Sequence, residues 1–253
     1  MSKLLAGGRV MCYNGGARDQ QGDGVPGEVA RNLQAVRERI ARAAARAGRP
    51  ASEITLVAVT KTVPVERIEE AVRAGAEHIG ENYVQEAREK HARIRAPLTW
   101  HLIGHLQSNK AGQAAQIFDV IHTVDSLRLA QHLSRRAVEA GRQLEVLVEV
   151  NIAAEPSKFG VAPEEALPLV EALAGLPALR PAGLMGMAPL SSQPEEARPH
   201  FRRLRALWEK LPAAYRRHLS MGMSSDFEVA IEEGATIVRV GTAIFGPRPR
   251  PHG

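Results

Sequence analysis

Short apolar runs alternate with longer amphipathic stretches along most of the chain. Eight runs are predicted to be strands: ITLVAVTK (54–61), HIGEN (78–82), TWHLIG (99–104), VIHTVD (120–125), LEVLVEVN (144–151), RPAGLMGM (180–187), HLSMGM (218–223) and IVRVGTAIFG (237–246). Helical patterns lie between them at 64–75, 83–92, 126–140, 163–174, 195–211 and 226–233. Another helix precedes the first strand, because Val29, Leu33, Val36 and Ile40 recur at helical spacing in a stretch that ends at Gly48.

This alternation predicts the fold. Strands that alternate with helices imply βα units and a parallel sheet, and eight such units in about 200 residues indicate an α/β protein with a closed (β/α)8 TIM barrel. An open doubly wound sheet is the alternative, but no GxGxxG motif follows the first strand. We expect one barrel domain, residues 28–253, with an extra N-terminal helix. Residues 1–27 are Gly-rich, polar and aperiodic, and we expect them to form a flexible leader.

The composition of the chain mainly excludes classes of protein. The chain has 253 residues, of which 44% are hydrophobic and 24% charged, as in ordinary globular proteins. No apolar run approaches the roughly 20 residues that cross a bilayer, and the N-terminus lacks the apolar segment of a secretory signal. The single cysteine, Cys12, cannot form an internal disulfide, which is consistent with a reducing compartment. We therefore expect a cytoplasmic protein without a membrane partner.

The net charge of +5 raises the question of nucleic-acid binding. The arginines are spread among glutamates on helical stretches, as in RIEE (67–70), which is typical of a solvated, ion-paired face. Aromatic residues make up only 4% of the chain, which leaves few rings for base stacking. We expect no nucleic-acid partner.

Candidate chemistry lies where the strands end, because active sites of (β/α)8 barrels are at the C-terminal ends of the strands. Lys61 closes the first apolar run, and Asn82 closes the second. A lysine at the inner rim of a barrel loses hydration, which lowers its pKa and exposes the neutral amine that forms a Schiff base with an aldehyde. The alternative is a surface lysine whose amine points into solvent.

Two elements near the C-terminus favour an anion such as phosphate. Gly241 and Thr242 break the eighth run, and a glycine beside a threonine hydroxyl suits a ligand that approaches the backbone. Ser224 follows the seventh run, at the start of a helix for which Ser225 and Glu228 predict a capping box. Loops seven and eight of such barrels often form a phosphate site. A strand bulge at Gly241 and a plain helix cap at Ser224 are the alternatives.

Other polar residues have weaker signals. Arg239 lies two residues before Gly241, so both side-chain directions share one face, and a guanidinium inside the barrel would need an acceptor such as a ring nitrogen. An outward-facing arginine is the alternative. Lys110 and Lys158 are further amines near the barrel mouth, and the sequence leaves open whether either contacts a ligand. We expect no metal site, since no cysteine or carboxylate cluster completes one.

Seven motifs in order carry a family resemblance: LVAVTK, HIGENYVQE, WHLIGHLQSNK, the SKFG loop, GLMGM, SMGMSSDFEVAI and VRVGTAIFG. Together they resemble the pyridoxal phosphate homeostasis protein family, over about residues 30–247. The resemblance implies the alanine-racemase-like barrel of fold-type III pyridoxal phosphate proteins, and pyridoxal 5'-phosphate as the cofactor.

The resemblance also implies roles for single residues. It implies that Lys61 carries the cofactor as an internal aldimine and that Arg239 faces the pyridine nitrogen. Asn82 matches the IGEN motif of the family, near the cofactor. Three residues of the last two loops would hold the phosphate: Ser224, Gly241 and Thr242.

The function implied by the resemblance is intracellular homeostasis of the cofactor, by buffering and delivery to apo-enzymes, without robust catalysis. An arginine at the ring nitrogen disfavours the proton that would make the ring a strong electron sink. Racemases of this fold also use a tyrosine from a separate C-terminal β-domain; we expect no such domain here, and Tyr13, Tyr83 and Tyr215 do not match its context. We expect a monomer. A pyridoxal-phosphate-dependent racemase or related enzyme is the alternative.

Overall fold

The computed structural model describes residues 27–153, 155 and 159–247. Within these residues eight parallel strands follow one another around a closed barrel, and the last strand pairs with the first. The strands are β1 (Thr55–Val59), β2 (His78–Glu81), β3 (Thr99–Leu102), β4 (Val120–Val124), β5 (Leu144–Val150), β6 (Leu179–Gly186), β7 (His218–Ser220) and β8 (Ile237–Val240). The predicted closed (β/α)8 barrel is confirmed.

Helices surround the barrel and alternate with the strands. In the described part of the chain they are α1 (Glu28–Arg46), α2 (Val65–Arg73), α3 (Val84–Arg93), α4 (Ala111–Ile117), α5 (Leu127–Glu139), α6 (Ala166–Ala174), α7 (Arg198–Trp208), α8 (Phe227–Glu232) and α9 (Thr242–Phe245). Helix α1 is the predicted extra helix before the first strand. Within the described residues, none of these helices has the length and apolar character needed to span a membrane.

The main core lies between the outer face of the strands and the inner faces of the helices. On α1 the predicted apolar positions are all buried: Val29, Leu33, Val36 and Ile40 are at most 4% exposed. Burial of such a side chain stabilises the fold by about 1.5–3 kcal/mol. Polar contacts add to this packing, since Asn32 of α1 donates a hydrogen bond to the Ile244 carbonyl of α9 at 3.0 Å. Helix α1 is therefore fixed across the last βα unit of the barrel.

The eighth apolar run was predicted as a strand to residue 246, and this is wrong beyond Val240. Gly241 ends the strand, and Thr242–Phe245 form the short helix α9. Ile244 and Phe245 are buried, so the run stays apolar although its backbone is helical. A short apolar run has no periodicity that separates a strand from a buried helical turn, which explains the error.

The capping box predicted for Ser225 and Glu228 is also wrong. Helix α8 begins at Phe227, and the Asp226 carboxylate accepts a hydrogen bond from the Met223 N–H at 2.6 Å. The Glu228 carboxylate instead pairs with the Arg39 guanidinium of α1 at 2.9 Å. Glu228 therefore forms an ion pair between α1 and α8 and not the predicted capping box. The predicted leader, apart from Gly27, lies outside the described residues.

Candidate functional site

A cavity of about 390 Å³ opens at the C-terminal ends of the strands. All six residues selected from the sequence line it: Lys61, Asn82, Ser224, Arg239, Gly241 and Thr242. The rest of its wall is largely apolar and includes Val59, Ile103, Met187 and Met223. The structure thus brings together residues from the first, second, seventh and eighth βα units.

The backbone on both sides of Lys61 is held by a buried ion cluster. Lys90 of α3 donates hydrogen bonds to the Thr60 carbonyl at 2.6 Å, to the Glu81 carboxylate at 2.7 Å and to the Glu86 carboxylate at 2.6 Å. These contacts fill the three donor positions of the ammonium group. This role of Lys90 was not predictable from the sequence, because Lys90 belongs to a helix with many other charged residues. The Lys90 ammonium therefore ties helix α3 to the residue that precedes Lys61.

The carboxylates of this cluster complete the support. Glu86 also accepts a hydrogen bond from the Thr62 N–H at 2.6 Å, on the other side of Lys61. Thr62 has a φ of +61°, a conformation that is costly for a β-branched residue and needs such support. The Thr60 hydroxyl donates to Glu81 at 2.6 Å. Burial raises the pKa of Glu81 above its ordinary value, while the neighbouring Lys90 charge lowers it.

Arg239 lines the cavity from inside the barrel, which is the inward one of the two orientations that the sequence left open. It is 4% exposed and donates hydrogen bonds to the Ser220 hydroxyl at 2.6 Å and to the Gly186 carbonyl at 3.3 Å. Burial lowers the pKa of Arg239 to about 10, against the opposing effect of Glu149, so the guanidinium is cationic at neutral pH. Among the described residues no carboxylate lies within 4 Å of it. A buried cation without an adjacent carboxylate is suited to a ligand acceptor.

Glu149 of β5 is a further buried group that the sequence analysis did not select. It is 3% exposed, and its Oε2 atom has no hydrogen-bond partner among the described residues. Burial raises the pKa of Glu149 to about 7, Asp125 adds to the effect, and Arg239 opposes it. A glutamate inside an apolar strand run was the signal that could have identified it.

The opposite side of the cavity is built around Ser224. Its hydroxyl accepts hydrogen bonds from the backbone N–H groups of Gly241, at 3.1 Å, and Ala243, at 3.5 Å. This joins the loop after β7 to the start of α9. A Cβ atom at position 241 would lie 3.3 Å from the Val59 Cβ, so glycine allows the close approach of β8 and β1. Thr242 is exposed at the cavity rim.

The remaining candidates lie elsewhere. Lys110 lines a neighbouring groove with Tyr83 and Phe159, which shares Asn82 with the cavity. Lys158 lies outside the described residues. No group of three or more His, Cys, Asp or Glu side chains able to hold a metal ion occurs in the described part of the protein.

The chain is similar to known proteins over most of its length. A family model described as the N-terminal domain of alanine racemase matches residues 31–249. A pyridoxal phosphate homeostasis protein from Aquifex aeolicus is 44% identical over 220 residues, covering 85% of this chain and 96% of that protein. The protein of the same name from Escherichia coli K12 is 43% identical over 227 residues, covering 87% and 97%.

Solved structures show the same barrel. PipY of Synechococcus elongatus, solved with pyridoxal phosphate bound, has a TM-score of 0.74 and 38% identity, covering 86% of this chain and 100% of that one. An alanine racemase from Clostridium difficile has a TM-score of 0.68, covering 87% of this chain and 58% of that one. At 18% identity the racemase shows only a shared fold.

Proposed function

The chain belongs to the pyridoxal phosphate homeostasis protein family, and on this premise we propose that it holds pyridoxal 5'-phosphate in the cavity and buffers or delivers it. The observation that carries the proposal is the convergence of Lys61, Arg239 and Ser224 on one cavity at the end of the barrel. A covalent link at Lys61 and the absence of robust catalysis are parts of the same proposal.

The residues of the cavity fit this cofactor. A volume of about 390 Å³ lies in the ordinary range for small-molecule sites. The buried Arg239 guanidinium has donors beyond those used by Ser220 and Gly186, and a ring nitrogen is an acceptor of the kind it needs. The close backbone at Gly241 and the hydroxyl groups of Ser224 and Thr242 suit a phosphate.

Each group then has a defined task. Bound pyridoxal phosphate supplies an electrophilic aldehyde on a ring that withdraws electrons. Lys61, whose neighbouring backbone is held on both sides by the cluster around Lys90, would hold the cofactor reversibly through its side-chain amine. Ser224, Gly241 and Thr242 bind the phosphate. The apolar wall excludes water, and hence free amines, from the link.

Arg239 supports binding rather than catalysis. An arginine donates hydrogen bonds and stays cationic at neutral pH, so Arg239 would disfavour a proton on a ring nitrogen bound beside it. A ring without that proton is a weak electron sink. The site therefore favours retention of the cofactor over transformation of an amino acid.

The proposal is tested by titrating the purified protein with pyridoxal phosphate and following the visible absorbance band of the lysine-linked cofactor. We expect a saturable band that is lost in Lys61→Ala. Lys110→Ala is the matched control, because Lys110 lies in the neighbouring groove, and we expect it to keep the band. A band of unchanged intensity in Lys61→Ala contradicts the proposal.

The racemase alternative is tested on the same holo-protein. Incubation with L-alanine or L-serine in D2O reports proton abstraction, because an exchanged Cα hydrogen is replaced by deuterium. We expect no sustained incorporation. Sustained incorporation that depends on Lys61 supports an amino-acid-transforming enzyme instead.

We propose a cytoplasmic monomer whose recipients are apo-enzymes that require pyridoxal phosphate. Sedimentation of the holo-protein is expected to give the mass of one chain, and mixing it with an apo-enzyme is expected to restore that enzyme's activity faster than spontaneous release allows.

A further inference from the structure

A continuous chain of hydrogen bonds crosses the barrel interior below the cavity. His78 Nδ1 lies 3.0 Å from His101 Nε2, His101 Nδ1 lies 2.9 Å from His122 Nε2, and His122 Nδ1 lies 2.9 Å from the Ser220 hydroxyl. The Ser220 hydroxyl in turn accepts a hydrogen bond from Arg239. Side chains from five different strands thus form one linear network.

These hydrogen-bonded side chains, from His78 through His101, His122 and Ser220 to Arg239, are called the histidine chain, and they join two cavities. Arg239 lines the cavity at the C-terminal ends of the strands. His78, at the start of β2, lines a second cavity of about 370 Å³ at the opposite end of the barrel, together with Arg37 of α1 and Glu77. His101, His122 and Ser220 between them are buried. The histidine chain is therefore a polar connection through an otherwise closed barrel.

The Arg239 contact favours one direction of the hydrogen bonds over the other. Arginine only donates, so the Ser220 oxygen accepts from it, and the acceptor that the described residues offer to the Ser220 hydroxyl hydrogen is His122 Nδ1. His122 then carries its hydrogen on Nε2 and donates to His101 Nδ1. By the same argument His101 donates from Nε2 to His78 Nδ1. Both buried histidines are Nε2–H tautomers.

The charge state of the buried histidines agrees with this arrangement. Burial holds the pKa of His101 and His122 well below the ordinary histidine value, so both are neutral at physiological pH. Each ring then has one donor and one acceptor, and each makes one bond of each kind. Among the described residues, the Ser220 hydroxyl hydrogen has an acceptor only when the bonds run from Ser220 towards His78.

We propose that Ser220, His122 and His101 are positioning residues for Arg239, and that they couple the protonation of His78 at one end of the barrel to the Arg239 contact at the other end. The second part rests on the proposed binding of the cofactor beside Arg239. His78 is half-buried and borders the second cavity, so it is the member of the chain that exchanges protons with solvent.

Protonation of His78 reverses the direction of the hydrogen bonds that join His78, His101, His122 and Ser220. A doubly protonated His78 donates from Nδ1, which requires His101 Nε2 to become an acceptor. The hydrogens of His101 and His122 then reside on Nδ1, and Ser220 accepts from both His122 and Arg239. One proton is gained from water at His78, and each buried histidine keeps a single hydrogen. The Ser220 oxygen is shared between two donors, so the bond that holds the Arg239 guanidinium weakens.

The groups around His78 determine where this change occurs. Burial lowers the pKa of His78 below its ordinary value, the adjacent Glu77 raises it, and His218 of β7 lowers it. Arg37 shares the cavity, with its guanidinium bound to the Ala74 and Gly75 carbonyls. The His101 ring on the other side is neutral. The reversal is thus expected at a pH below the ordinary histidine range of about 6.5.

The first experiment uses the full chain without cofactor. Long-range ¹H–¹⁵N correlation spectra of the imidazole rings report which nitrogen carries hydrogen. We expect Nε2–H tautomers for His101 and His122 at neutral pH, and a change of both to Nδ1–H as His78 is protonated. Nδ1–H tautomers at neutral pH, or buried tautomers unaffected by His78 protonation, overturn the proposal. This result does not depend on whether the cofactor binds.

The second experiment measures release of pyridoxal phosphate from the holo-protein across the same pH range. We expect the release rate to rise by about threefold to tenfold on protonation of His78, as for one weakened hydrogen bond. In His78→Gln we expect this pH-dependent step in the release rate to be absent. In His91→Gln, a change at an exposed histidine of α3, we expect the step to remain. A step of equal size in His78→Gln overturns the coupling. Failure of the wild-type protein to bind the cofactor at any pH would count against the proposed function instead.

Discussion

Removal of the Lys90 ammonium tests whether the ion cluster next to Lys61 stabilises the fold. The Lys90 side chain is 7% exposed and that of Glu81 is fully buried, at a separation of 2.7 Å. Lys90→Met keeps the length of the side chain but removes all three hydrogen bonds at 2.6–2.7 Å. Glu81 then keeps the Thr60 hydroxyl as its hydrogen-bond donor, without a cation beside it.

The expected loss follows from the buried carboxylate. Breaking a buried ion pair by removal of one partner costs about 3–5 kcal/mol, because the other charge remains in a medium that solvates it poorly. Glu81 escapes part of this cost by binding a proton. Its pKa is already raised by burial and rises further without Lys90. The folded state then binds the extra proton above the ordinary glutamate pKa of 4.5, so the stability of the variant falls as pH rises.

The assay is urea unfolding followed by far-UV circular dichroism at pH 5 and pH 8. For Lys90→Met we expect the free energy of unfolding to fall by about 3–5 kcal/mol at pH 8 and by less at pH 5. Lys210→Met, at an exposed lysine, is the matched control and should change little. The double variant Lys90→Met with Glu81→Gln should recover part of the loss, because it leaves no buried charge. A loss below about 1 kcal/mol at pH 8, or the same loss at both pH values, refutes the reasoning.

Three further changes have definite expected outcomes. Gly183→Ala should destabilise the fold by about 3 kcal/mol or more, since φ is +146° and a Cβ would lie 1.8 Å from a carbonyl oxygen of β7, whereas Gly175→Ala, with its nearest contact at 3.7 Å, should be nearly neutral in urea unfolding. The pKa of about 7 for Glu149, against an ordinary 4.5, means that wild-type stability falls by about 3 kcal/mol as pH rises through that interval. Glu149→Gln should remove this slope in urea titrations at pH 4.5 and 8, and an unchanged slope would assign it to another group. Ser224→Ala removes the acceptor of the Gly241 N–H and should weaken cofactor binding about tenfold in an absorbance titration, while unaltered affinity would exclude a role for this hydroxyl.

The barrel and its cavity were predictable because each depends on a local pattern. Apolar runs alternate with amphipathic stretches, and the polar residue that ends each run falls at the C-terminal face of the barrel. Lys61 and Asn82 follow from this rule directly. Arg239 was placed by its two-residue offset from Gly241, which decides the face of a strand but not whether that face is inside.

The parts that sequence could not supply depend on contacts between distant residues. Lys90 lies on a helix with many charges, and only the packing of α3 brings its ammonium to the Thr60 carbonyl. His122 and Ser220 are 98 positions apart, and their hydrogen bond depends on the closure of the barrel. The end of β8 was misjudged because Ile244 and Phe245 are as apolar as a strand although they form a helical turn.

We propose that Lys61 is the residue that holds the cofactor. The most direct measurement is reduction of the pyridoxal phosphate complex with borohydride, followed by digestion and mass spectrometry of the peptides. We expect a single modified lysine, Lys61, and loss of the modification in Lys61→Ala. Modification at Lys90 or Lys110 in the wild-type protein, with Lys61 unmodified, would contradict it.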